Sequence, residues 1–76
     1  MAISYYEHTL AIDRAMYGEQ HPAVSIDLIN LGAAYFKLGD KKRAKGYFEA
    51  AYQIFLRFFG PDHPDTKMTA EWLAHL

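Results

Sequence analysis

The sequence predicts an all-α fold in which antiparallel helical hairpins stack one on the next, and three observations lead there. First, shifting the chain by 42 residues lays it on itself without a gap. The shift pairs Ala2 with Ala44, Tyr5 with Tyr47, Glu7 with Glu49, Ile12 with Ile54, Gly18 with Gly60, His21 with His63, Pro22 with Pro64 and Leu31 with Leu73. A period of this length marks a repeat architecture. Second, glycine and proline punctuate both copies at the same places. Third, the apolar residues between those marks recur every three or four positions, the spacing of one helix face.

The first helix is expected over 2–17, ended by Gly18, because glycine takes the left-handed backbone of a helix C-terminus at little cost. The second runs over 22–38. Pro22 suits a first helical turn, where an N–H would have no partner, and His21 stands at or next to the N-cap. Its stripe Val24, Leu28, Leu31, Tyr35, Leu38 steps by four and three. Gly39 and Asp40 make the next break, glycine ending one helix and aspartate capping another. The third helix, 41–59, carries Ala44, Phe48, Ala51, Phe55 and Phe58. Gly60, His63 and Pro64 repeat the first corner and open a fourth helix over 64–75. Small residues (Gly32, Ala34, Ala44, Ala51) stand against Tyr35, Tyr47 and Phe48, which allows close helix approach. Such short breaks force consecutive helices to run antiparallel.

These residues resemble a tetratricopeptide repeat. Leu28, Leu31, Gly32 and Tyr35, then Gly39-Asp40, then Ala44, Phe48 and Ala51 follow the family's spacing, with Leu28 in the usual tryptophan place. The first helix is similar to the second half of an earlier repeat through Ala2, Tyr6 and Thr9. The last is similar to the first half of a later one through Ala70, Leu73 and Ala74. The period of 42, with Tyr5-Tyr6-Glu7, Gly18-Glu19-Gln20-His21-Pro22 and Gly60-Pro61-Asp62-His63-Pro64, resembles the kinesin-light-chain-like subfamily. The resemblance implies a fragment of a right-handed α-solenoid divided as 1–18, the second helix of one repeat; 22–59, a complete repeat; and 63–76, the first helix of the next. It further implies a peptide-binding groove along the second and fourth helices, lined by Ile26, Ile29, Asn30, Ala33 and Lys37 and continued by Met68, Glu71, Trp72 and His75. Asn30 matters most, since its amide both donates to and accepts from an extended backbone; the alternative is that it bonds its own neighbours. Family members that grip a C-terminal carboxylate use lysine and arginine, where this chain has Met68 and Trp72, so that chaperone-tail mode is not expected.

Other chemistry finds little support. His8, His21, His63 and His75 never stand three or four apart, and no cysteine or acidic cluster completes a metal site. Capping explains His21 and His63 better. The hydroxyls of Ser4, Thr9, Ser25, Thr66 and Thr69 sit in no glycine-flanked elbow, so no enzyme activity and no cofactor are expected. With 8 basic and 9 acidic residues the chain lacks a nucleic-acid footprint. Its longest charge-free stretch, Leu28 to Phe36, falls far short of the roughly 20 residues that span a membrane. A cysteine-free chain fits a reducing compartment, and a cytoplasmic location is expected. The run Lys41, Lys42, Arg43, Lys45 reads as a solvated helix start that opposes the macrodipole and favours an acidic partner.

The functions that remain are a non-enzymatic module that binds a protein or peptide partner and, as the alternative, a self-assembly element or a fragment of a longer repeat scaffold with no ligand of its own. One helix cannot bury Tyr47, Phe48, Tyr52, Phe55, Phe58 and Phe59 against a single neighbour, and repeats cover such faces by stacking. Surplus apolar surface is therefore expected at Tyr47, Tyr52, Phe55, Phe58 and Phe59 and at Ile3, Tyr5 and Leu10. It implies that the isolated chain pairs as a homodimer, most simply by a two-fold contact.

Overall fold

A computed structural model describes residues 2–76; Met1, which opens the expected first unit at 1–18, lies outside them. The chain order is α1 (Ala2–Tyr17), α2 (Pro22–Lys37), α3 (Lys41–Phe59) and α4 (Pro64–Ala74). Two of the expected boundaries shift by one residue: Leu38 and His75 are the C-caps of α2 and α4 instead of helical residues.

The corners work as the residue types dictate. The imidazole Nδ1 of His21 accepts the Ala23 N–H at 3.0 Å, and that of His63 accepts the Asp65 N–H at 3.1 Å. Each satisfies a helix N–H that has no partner inside its own helix. The ring faces are used too. Tyr17 stacks on His21 at 4.5 Å between centroids, and Phe59 stacks on His63 at 4.0 Å. The 42-residue repeat thus reproduces one whole corner, with the aromatic end of one helix lying on the capping histidine of the next. Between α2 and α3, Gly39 has φ +85°. It lets the Asp40 N–H return to Tyr35 O at 2.9 Å while its own N–H reaches Phe36 O at 3.0 Å, closing the last turn. Asp40 Oδ1 then accepts the Arg43 N–H at 3.1 Å. Arg43 itself bends back, 3.5 Å from Asp40 Oδ2 and over the Tyr35 ring, so one cation of the basic run is held locally.

The helices form a slab 32 × 31 × 15 Å in which α2 packs on α3, α1 on α2, and α4 on α3. The core runs through the slab from Leu10 to Val24, Leu28 and Leu31, then to Ala51 and Ile54, with Ile3, Tyr6, Ile29, Tyr35 and Tyr47 against its edge. Phe48, Phe55 and Ala44 are also fully buried. Of the residues expected to be surplus, Tyr5, Phe58 and Phe59 are exposed and Tyr47, Tyr52 and Ile3 half-buried, but Leu10 and Phe55 are buried. Stacking within the chain accounts for the difference, because α3 has two neighbours, α2 and α4, and α1 lays Leu10 onto α2.

α2 and α3 come close at Gly32, where a Cβ would stand 2.9 Å from Cε1 and Cζ of Phe48. Gly32→Leu is expected to cost upwards of roughly 1 to 3 kcal/mol by overpacking. Loss of cooperative thermal melting would show it; an unchanged melt would mean that α2 and α3 do not meet there.

Asp27, on α2 facing α1, is 5% exposed, and its Oδ2 has no hydrogen-bond partner. Burial above all, then a hydrogen bond with Asp13 and that residue's like charge, push its carboxyl up from 3.8 to about 7.

Candidate functional site

The nine residues implied as a groove fall on α2 and α4, and the structure treats the two sets differently. On α4, the side chains of Met68, Glu71, Trp72 and His75 surround a solvent-open cavity of about 300 Å³, together with Phe36 and Leu76. Trp72 is fixed in place from beneath. Its ring stacks on the buried Phe48 of α3 at 4.7 Å and 15°, and the Phe36 ring meets it edge-on at 5.8 Å. Such aromatic contacts are each worth about 0.5 to 1.5 kcal/mol beyond their burial, so the floor is rigid. The cavity is mostly apolar, and Glu71 and His75 carry the ionisable side chains of its lining.

The α2 set does not line this cavity. Ile26, 55% exposed, and Lys37 reach solvent, whereas Asn30 and Ala33 are half-buried. Ile29 is half-buried and packs against the core, so it is only partly available to a groove. None of the side-chain hydrogen bonds among the described residues involves Asn30, which leaves its amide available.

Two lining residues escaped the sequence reading. Phe36 lies three positions after Ala33 and seven after Ile29, on the same helix face, and the helical period alone would have found it. Leu76 follows Trp72 by four but lies beyond the end of α4, where a helical period carries no information.

A second, wider concavity of about 540 Å³ lies between α1 and α3, over α2, lined in part by Glu7, Arg14, Arg43 and Tyr47. Burial, with Tyr35 and then Glu7 adding, pushes the Tyr47 hydroxyl above its ordinary 10.0. Tyr47 lies against Tyr35, 5.6 Å away and 6° from parallel. Charges of both signs rim this concavity. Among the described residues no group of three or more His, Asp or Glu side chains is placed to hold a metal ion, and no helix is long and apolar enough to cross a membrane.

The chain is similar to proteins named "Clustered mitochondria protein homolog". It is 33% identical over 72 residues to those of Aspergillus clavatus and Aspergillus fumigatus, and 32% identical to that of Emericella nidulans. In each case 95% of this chain is matched, and it spans only about 6% of the relative's length. No solved structure matches it. The family model described as "Tetratricopeptide repeat" matches residues 1–57, three quarters of the chain. With four helices joined at tight corners, a 42-residue period and the Gly32–Phe48 approach, the chain belongs to the tetratricopeptide repeat family.

Proposed function

We propose that this chain is a non-enzymatic protein-interaction module that binds an extended partner segment along α2 and α4, with an apolar side chain of the partner seated over Trp72. The observation that carries the reading is the cavity at Phe36, Met68, Glu71, Trp72, His75 and Leu76. It is an open apolar depression on a rigid aromatic floor, the kind of place where interface energy concentrates. Asn30 supplies backbone hydrogen bonds farther along, and Ile26, Ala33 and Lys37 border the segment's path. The match between α1 and α3 and between α2 and α4 supports the division into the end of one repeat (1–18), a whole repeat (22–59) and the start of another (63–76). The 42-residue period supports the kinesin-light-chain-like type. Similarity to a small stretch of the much longer Clustered mitochondria protein homologs supports a part played within an extended repeat array. A cytoplasmic place of action, with neither nucleic acid nor membrane as ligand, completes the proposal and rests on the near-neutral, cysteine-free composition.

Peptides selected on the immobilised chain from a random display library test it. Asn30→Ala is expected to weaken the selected peptides about tenfold, or roughly 1.4 kcal/mol, with helicity unchanged. Glu71→Ala, on the exposed rim, is expected to change which peptides are selected. Selected peptides indifferent to both changes would overturn the assignment.

A further inference from the structure

α1 and α3 are copies of one another, yet only α3 has a helix on both sides. The stripe Ala44, Tyr47, Ala51, Ile54 of α3 lies against α2 and the core: Ala44 and Ala51 are fully buried, Ile54 is 5% exposed, and Tyr47 stacks on Tyr35. Shifted by 42 residues, this stripe is Ala2, Tyr5, Thr9, Ile12. On α1 the same stripe is largely open. Tyr5 is 67% exposed and Ile12 44%, and Met16, one turn on, is 67% exposed. α1 spends its other face, Ile3, Tyr6 and Leu10, on the core beside α2.

The helix that this open stripe fits is a counterpart of α2, and the chain holds one. α4 corresponds to α2 residue by residue, with Ala70, Leu73 and Ala74 where α2 has Leu28, Leu31 and Gly32. α2 is covered on two sides by α1 and α3, whereas α4 rests on α3 and leaves Ala70 and Ala74 exposed. We infer that α4 of one copy of this chain docks on the Tyr5–Ile12–Met16 stripe of α1 of a second copy, repeating between molecules the α2–α3 pairing seen within one. The two surfaces differ, so the contact is head-to-tail: each copy keeps a free α1 stripe and a free α4, and growth continues instead of closing at two. The intermolecular pairing is looser than its template. Where Gly32 admits the Phe48 ring, the counterpart Ala74 carries a methyl, and Ala70 stands in for Leu28, so less apolar area is covered.

Sedimentation velocity on the full chain, with two surface variants, tests this apart from any groove ligand. For the parent chain the weight-average mass is expected to rise from 8.7 kDa without a plateau as concentration increases from about 5 to 500 micromolar. A double variant Tyr5→Lys, Ile12→Lys closes the α1 stripe; a double variant Ala70→Lys, Ala74→Lys closes α4. Each alone is expected to associate at least tenfold more weakly while keeping the parent's circular dichroism. Mixed in equal amounts, they are expected to form a one-to-one complex of twice the monomer mass, because each supplies the surface the other lacks. Circular dichroism that shows either variant unfolded transfers the test to the single changes Tyr5→Lys and Ala74→Lys, read in the same way. A parent chain that stays monomeric, a mass that stops at a dimer, either variant pairing with itself as the parent does, or a mixture that remains monomeric would each overturn the inference.

Discussion

Replacing Phe48 with alanine is expected to remove about 3 to 5 kcal/mol of stability, which for a domain of this size is most of what it has. Phe48 is fully buried where three helices meet. Its ring edge fills the space left by Gly32 on α2, and its face supports Trp72 on α4. Truncation removes the burial of an aromatic ring and leaves a cavity that α2 and α4 cannot close without parting from α3. Urea unfolding followed by circular dichroism measures the loss. Trp72 fluorescence gives a second signal, since the indole loses its stacked neighbour even in molecules that remain folded. Phe48→Leu keeps most of the volume and is expected to be clearly milder. Equal stabilities for parent and alanine variant would show that the three-helix junction is wrongly placed.

The second large effect is a dependence on pH that the acidic side of the titration would not ordinarily produce. Most carboxylates that are paired or hydrogen-bonded in the folded state favour folding when ionised, so stability falls in acid. Asp27 has the opposite sign. Its folded pKa, about 7, lies above the ordinary 3.8, so the folded chain binds the extra proton between these values. The contribution is fully present below about pH 4 and is lost as pH rises through about 7, with a slope of at most about 1.4 kcal/mol per pH unit. Above that range the ionised Asp27 faces the charge of Asp13 across the α1–α2 junction. Urea midpoints are therefore expected to fall between pH 5 and pH 8 for the parent chain. Asp27→Asn keeps a neutral side chain of the same shape and is expected to flatten that fall, which separates this group from the four histidines. A variant whose midpoint falls as steeply as the parent's would remove Asp27 from the account.

The helices could be read from the sequence because their ends are chemical. Glycine at 18, 39 and 60, proline at 22 and 64, and caps at His21, Asp40 and His63 act within a few residues of themselves, so no long-range information is needed. The repeat supplied the rest, including the facing of Gly32 and Phe48. What escaped depended on the third dimension. Leu10 and Phe55 look like surface for a missing neighbour until α2 covers one and the α3–α4 side the other. The Asp13–Asp27 pair joins different helices, so no spacing rule reveals it. The candidate site was only half legible: family positions placed Met68, Glu71, Trp72 and His75 around one cavity, but Phe36 entered from α2 and Ile29 packs against the core. A position in a repeat states which way a side chain points, whereas burial by the neighbouring helix decides whether it stays available.

Binding of partners along α2 and α4 is open to amide chemical-shift mapping of the labelled chain with a display-selected peptide. Shifts are expected to concentrate at Asn30, Ala33, Phe36 and Lys37 and at Met68 to His75, with the Trp72 indole N–H among the largest. Shifts confined instead to the outer faces of α1 and α3 would contradict it.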